Sequence, residues 1–408
     1  MNYSLATNFD YSLLDYVKEY DNKKKVKSVY GKLKRDVLGG GRSSILLPQL
    51  SFSDLEKYVK YCHRAGIEFN YLFNPMCLDN KDVNRKEQSK ILHFIDELVE
   101  IGIDAITLNS PYMCRVIRKK YPNLKITIGA YAVIYSIQQV DYWREMGANE
   151  VTLHHKVNRD FKLLESMLKY FAGKNINLRL IGNNVCLKDC PFQISHGTEQ
   201  AHVSKSGDKK LFFDVDLISC TYKKIDDFTR IISSEWIRPE DVKIYDELCE
   251  KCNNPMLSIK LVERTKEVEF LKRTVKAYLD ENFDGNLLDI LNWPKKQEVE
   301  KLDEKAIALG IMVDGYNIKK AKMFNDVFDL PDIYVDNKKL DNFINHFIES
   351  NSCMYSHCGC GSLSGDNDCN YCSSWAKKVI TFDEEKRNNW IEFVGAFLGY
   401  FDDRSIFK

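Results

Sequence analysis

No stretch of this 408-residue chain approaches the ~18 uninterrupted apolar residues of a membrane helix, which excludes a helical span. The chain has no surplus charge of either sign. Lys and Arg total 59 and Asp and Glu total 59, so a strongly basic nucleic-acid binder and an acidic tail are both excluded, though a local basic groove is not. The opening, MNYSLATNFDYSLLDYVKEYDNKKK, lacks the basic-then-apolar order of a signal peptide. The expected compartment is therefore the cytoplasm, where thiols stay reduced and disulfides are rare. No G-x-G-x-x-G follows a strand, and neither H-E-x-x-H nor a protease triad pattern occurs.

What is present is ordinary globular composition, 44% hydrophobic and 29% charged, with 13 cysteines in clusters. At this length one ~250-residue barrel plus a smaller domain fits better than one small domain. From Val26 to Asn282 short apolar strands alternate with amphipathic helices. Strands are predicted at 25–32, 68–73, 105–108, 125–130, 150–154, 177–181, 235–237 and 256–261. Ser53-Asp-Leu-Glu56 reads as a capping box. Gly66, Gly102, Gly147 and Gly173 each end a helix just before a strand. Eight such units predict a TIM-like (β/α)8 barrel over 26–291, with an open doubly wound sheet as the alternative. Residues 1–25 read as an N-terminal segment, 203–229 as an insertion, and 292–408 as a smaller, Cys-rich, mainly helical domain.

In a barrel, function collects at the C-terminal strand ends. There the sequence places Cys77, His154, His155, Cys186, Arg238 and Arg264. Cys186 and Cys190 form C-x-x-x-C-P, and Cys220 follows in the insertion. Thiolates are soft ligands for zinc or iron–sulfur clusters, and Cys77 is the best candidate for a fourth. Cys62 and Cys114 lie in helices and read as core. The C-x-x-C of Cys249 and Cys252 falls at the opposite end of the barrel. Cys353, Cys358, Cys360, Cys369 and Cys372 crowd twenty residues of the tail, with Cys358, Cys360, Cys369 and Cys372 the neatest set for a second metal centre, zinc or iron–sulfur. The adjacent His154 and His155 should point to opposite sides of their strand, and either could serve as acid or base. Arg238 and Arg264 are candidate anion anchors, with a structural ion pair as the other reading.

Seven motifs occur in order: YGKL (30–33), GGGR (39–42), FNYLFNPMCLDN (69–80), NRDF (158–161), NNVCLKDCPF (183–192), WIRPED (236–241) and AYLDENFDGNLLDIL (277–291). Together they resemble a divergent iron–sulfur branch of the collagenase-like peptidase superfamily, across about residues 26–291. The resemblance implies a TIM-like barrel and a 4Fe–4S cluster, with Cys186, Cys190 and Cys220 matching three cluster cysteines in order. Cys77 resembles the strand-end cysteine of a divergent subgroup. Members are called peptidases, or are oxygen-independent hydroxylases of ubiquinone precursors and of tRNA or rRNA bases. The expected function is thus an iron–sulfur enzyme performing oxygen-independent hydroxylation or a related modification of an RNA, peptide or small metabolite, with an electron donor or partner subunit. The alternatives are peptide hydrolysis, or a non-catalytic redox or scaffold role with structural metal sites.

Overall fold

The structure, a computed structural model, describes residues 1–42, 47–206, 213–294, 315–349 and 369–408. Eight parallel strands close into a barrel: β1 (Asn2–Ala6), β2 (Val26–Gly31), β3 (Glu68–Leu72), β4 (Ala105–Leu108), β5 (Lys125–Ile128), β6 (Glu150–Thr152), β7 (Asn177–Ile181) and β8 (Leu257–Leu261). Closure is made by β1 against β8, in the register Tyr3 to Ile259 and Leu5 to Leu261.

The (β/α)8 expectation holds, but two of its parts do not. The first strand lies at Asn2–Ala6, inside the segment assigned outside the barrel, so the barrel begins at residue 2 rather than 26. Residues 235–237 form no strand, and β7 pairs directly with β8. That run makes one backbone bond to the segment after β7, Ile237 N to Gly182 O at 2.8 Å. Arg238 then leads into Pro239, which opens a 3-10 turn and has no N–H to extend a ladder.

The outer helices are α1 (Tyr11–Tyr20), α2 (Phe52–Arg64), α3 (Arg85–Glu100), α4 (Pro111–Lys120), α5 (Ile137–Glu145) and α6 (Phe161–Phe171). Next come α7 (Gln193–Ser206), α8 (Val215–Asp226), α9 (Thr229–Ile232), α10 (Val242–Lys251) and α11 (Val268–Asp280). In α2, Leu55, Tyr58, Val59 and Cys62 are buried at helical spacing, which accounts for Cys62 as core. The cap is Ser51, whose side chain accepts from Asp54 N at 3.1 Å, two residues before the predicted box. Gly66 and Gly147 carry φ of 72° and 100°, the left-handed turn that takes each helix into the next strand.

The strands alternate. Leu5, Val29, Phe69, Ile106, Ile126, Val151, Leu178 and Ile259 form one fully buried apolar set. The residues between them are polar and join in a chain across the barrel. Thr107 donates to Asn70 at 2.8 Å, Asn70 to Thr127 at 3.2 Å, and Thr127 to Glu150 at 3.0 Å. Asn177 bridges Glu150 and Ser258, and Arg179 pairs with Glu150 at 2.5 Å. A barrel filled mainly with branched aliphatics would need no such network. Here the Asn70, Thr107, Thr127, Glu150 and Asn177 side chains each find a polar neighbour, whereas the buried Thr152 Oγ1 and Arg179 Nε do not.

The described C-terminal part has helices at Ile318–Lys322, Phe324–Val327, Asn345–Glu349, Tyr371–Val379 and Glu384–Asp402, plus an antiparallel pair β9 (Ile333–Val335) and β10 (Ile380–Phe382). It packs on the barrel and on α8. Trp390 stacks with Tyr222 at 6.4 Å, and Phe343 lies 5.6 Å from Trp236. Among the described residues no helix is long and apolar enough to cross a membrane.

Candidate functional site

Segments following the C-terminal ends of β2, β3, β5, β6, β7 and β8, together with α7 and α8, enclose a cavity of about 220 Å³. One wall carries Cys186 and Cys190 from the segment after β7, and Cys220 from α8. Cys186 is exposed and the other two are half-buried. Their contacts are weak. Cys186 Sγ lies 3.3 Å from Asn184 Oδ1, and Cys220 Sγ lies 3.2 Å from Leu217 O. Burial pushes the Cys190 thiol up to about 11, with Cys186 and Cys220 adding to the shift. Lys224 donates to Val185 O at 3.0 Å and stands near the Cys220 thiol.

Cys77 does not line this cavity. It is half-buried and lies electrostatically close to Lys205 of α7. The preceding Met76 packs its sulfur against Gly197 on the cavity side. Among the described residues no three His, Cys, Asp or Glu side chains stand at metal-holding spacing. Three thiols thus line one cavity without standing at metal-holding spacing, and the fourth candidate lies off that lining. In the tail, Cys353, Cys358 and Cys360 lie outside the described residues. Cys369 is half-buried and Cys372, in the first turn of Tyr371–Val379, is buried.

His154 and His155 both line the cavity, with rings 4.0 Å apart, so the expected opposition of the pair does not occur. β6 ends at Thr152 and His155 starts a 3-10 turn, so strand alternation no longer applies. His154 Nε2 meets Gln193 Oε1 at 2.9 Å. Burial and the neighbouring His154 hold His155 down at about 3, so both imidazoles are neutral near pH 7. Behind His155, burial pushes the Glu235 carboxyl up to about 7, and its Oε2 lies 3.8 Å from His155 Nε2.

Arg238 is not at the cavity. It pairs with Asp241 at 2.8 and 3.0 Å and donates to Asn337 O at 3.0 Å. Its place at the mouth depended on a strand that the fold does not contain. Arg264 does line the cavity, on the wall opposite in character to the thiols. Beside it are Glu263, Lys260 and Arg42. Arg42 Nη2 pairs with Glu263 Oε2. Burial works to raise the Glu263 carboxyl, but Arg42 and Arg264 outweigh it and hold it below its usual range.

Sequence reasoning missed Lys260 and gave Arg42 no role. Lys260 had a signal: a lysine inside LSIKL, a strand whose five residues are all buried. Arg42 follows three glycines that pack tightly instead of forming a loose loop. Gly40 N donates to Ser204 Oγ at 2.7 Å, and Tyr131 donates to Gly41 O at 2.6 Å.

These features define a (β/α)8-barrel protein with a thiol- and cation-lined mouth. Residues 38–161 match the sequence model of peptidase family U32. A protein of Methanocaldococcus jannaschii named as an uncharacterized protease is 28% identical over 273 residues, 67% of this chain and 78% of that one. Over these stretches the chain is similar to proteins of peptidase family U32. The solved structure of a U32 peptidase, Mk0906, is 15% identical and covers 64% of this chain and 94% of its own, with a TM-score of 0.46.

Proposed function

We propose that the barrel mouth is the active site of an iron–sulfur enzyme that carries out an oxygen-independent hydroxylation or related modification. The observation supporting this is the gathering of Cys186, Cys190 and Cys220 on one wall of one cavity at the strand ends. These three residues would hold a 4Fe–4S cluster, with Cys77 the sequence's candidate for the fourth ligand. A bound cluster would supply electron transfer or substrate activation. The chain's own groups do the rest. Lys224 offsets thiolate charge, and the neutral His155, whose Nε2 has no hydrogen-bond partner, offers a nitrogen to a substrate proton, while both nitrogens of His154 are taken by Lys156 N and Gln193. An electron donor or partner subunit belongs to this reading. A second centre in the tail would draw on Cys369 and Cys372 together with Cys358 and Cys360.

The family match and the printed name of the archaeal relative favour a second reading, peptide hydrolysis, and the comparisons speak only for that one. Against it, the described cavity residues include no thiol or hydroxyl hydrogen-bonded to a histidine. Cys186 bonds Asn184, and Ser195, beside the cavity on α7, bonds Asp216 and Phe192 O. Activated nucleophiles depend on such a pairing.

One preparation tests both. Anaerobically purified protein is expected to be brown, with absorbance near ~400 nm and iron matched by sulfide. Cys186→Ser, Cys190→Ser and Cys220→Ser should each lose the colour, and Cys77→Ser shows whether Cys77 is the fourth ligand. A colourless, iron-free protein that cleaves unstructured peptides would sink the first reading and establish the second.

A further inference from the structure

The cavity wall away from the thiols holds more positive charge than it can use. Two carboxylates act on its cations, but each makes its direct ion pair with another residue. Glu150 pairs with Arg179 and accepts from Thr127 and Asn177. Glu263 pairs with Arg42. Arg264 and Lys260 are left, and among the described residues neither forms an ion pair. Arg264 is 4% exposed, lines the cavity, and its Nη1 has no hydrogen-bond partner. Lys260 is 8% exposed, and its ammonium lies 3.9 Å from the centre of the Tyr30 ring. On the same lining the Oδ1 of Asn74 is also buried and unpartnered.

An unpartnered buried guanidinium nitrogen costs free energy, and like charges close together add to that cost. Thiolates would be one source of compensating charge, but on this wall Cys186 stands near Arg42, not near Arg264 or Lys260. The groups acting most on Arg264 are Glu263, Arg42, Tyr30 and Tyr131, and those acting on Lys260 are Arg179, Arg264, Glu150 and Glu263. No cysteine is among them, whereas Arg42 and Lys224 do stand near thiols. The missing partner is therefore a ligand.

The geometry points to a subsite for a small organic anion, a carboxylate or phosphate, held between Arg264 and Lys260 at the β8 end of the cavity. As a statement about substrate it rests on reading the mouth as an active site, and it narrows that substrate to a molecule with an anionic group small enough for about 220 Å³. A guanidinium matches either group bidentately, while an ammonium adds a point charge. The lone Asn74 oxygen would accept from a hydroxyl or amine on the same ligand.

The test uses the full chain, purified anaerobically, with malate as the carboxylate probe and glycerol phosphate as the phosphate probe. Binding is read by titration calorimetry at low salt, and iron is measured on each sample. At least one probe is expected to bind the unaltered protein. Arg264→Gln and Lys260→Met should each weaken it tenfold or more, Arg264→Lys should restore part of it, and the exposed Lys57→Met should leave it unchanged. The probe that binds identifies the source of the anion. The subsite is overturned if neither probe binds, or if binding stays within twofold of normal in either Lys260→Met or Arg264→Gln. Iron content separates this result from the cluster reading. Cys186→Ser that loses iron yet still binds the probe leaves the subsite standing without the cluster. Arg264→Gln that keeps its iron and loses the probe supports both.

Discussion

Lys260 shows how one buried residue ties stability to pH. Burial lowers its ammonium to about 7, and Arg179 and Arg264 reinforce the shift, while Glu150 and Glu263 oppose it. Tyr30 also faces it, through the ring under the ammonium. Its unfolded value is near ~10.4. Between those values the unfolded chain carries a proton that the folded chain lacks, so stability rises with pH across that window. Below pH 7 the full cost of the buried cation is present. Lys260→Met should therefore stabilise the protein by on the order of 3 kcal/mol at pH 6, and the gain should shrink between pH 7 and 10. Urea melts of both proteins across that range check this, and a gain that grows with pH would contradict it. A residue that costs stability in the empty protein is what a binding site retains for its ligand.

The β2–α2 connection shows the same logic in an element. Gly39 to Gly41 bring Arg42 over the mouth, and the fit leaves no room for a side chain. A Cβ on Gly41 would lie 2.1 Å from the Tyr131 ring. Gly173, at the end of α6, has φ of 74° but open space around it. Gly173→Ala should thus cost about 1 kcal/mol of backbone strain. Gly41→Ala should cost more, about 2 kcal/mol, because Tyr131 must move and the loop with it. Thermal melts give the ranking. In Gly41→Ala, anion binding should weaken as well, since a displaced Arg42 frees Glu263 to pair with Arg264. Equal losses in the two variants would show that the loop is not held by that contact.

Across the whole molecule the net charge of zero conceals a local imbalance. The cavity lining carries Arg42, Lys224, Lys260 and Arg264 against Asp216 and Glu263. The barrel and the C-terminal part are also bound more tightly than a two-domain division suggests. Arg159 donates to Ile232 O at 2.9 Å and Trp236 O at 3.2 Å, and its guanidinium lies 4.4 to 5.1 Å from Trp236, Phe343 and Phe347. Arg238 crosses the same boundary to Asn337. The two parts should unfold together, in one transition seen alike by calorimetry and by fluorescence of Trp236 and Trp390. Arg159→Lys keeps the charge but loses the planar stack and one of two backbone contacts. It should lower stability by about 3 kcal/mol without separating the transition. Two resolved transitions in the unaltered protein would refute this.

The sequence by itself determined the periodic parts. Strands of alternating or fully apolar residues and helices ending at Gly66, Gly102, Gly147 and Gly173 mark seven of the eight units, because local periodicity and turn chemistry are written in neighbouring residues; the count reached eight only because 235–237 stood in for Asn2–Ala6. It also marked Cys186, Cys190 and Cys220 as a set and placed Arg264 at a strand end. Tertiary structure decided what depends on partners far along the chain. Asn2–Ala6 becomes a strand because β2 and β8 stand on either side of it, while 235–237 does not because β7 and β8 have already paired. Arg238 is taken up by Asp241 and Asn337, His154 and His155 turn to the same side, and Cys77 lies off the thiol wall. Whether a charged residue is satisfied or waiting for a ligand depends on which opposite charges reach it through space, and for Lys260 and Arg264 only closure of the barrel settles that.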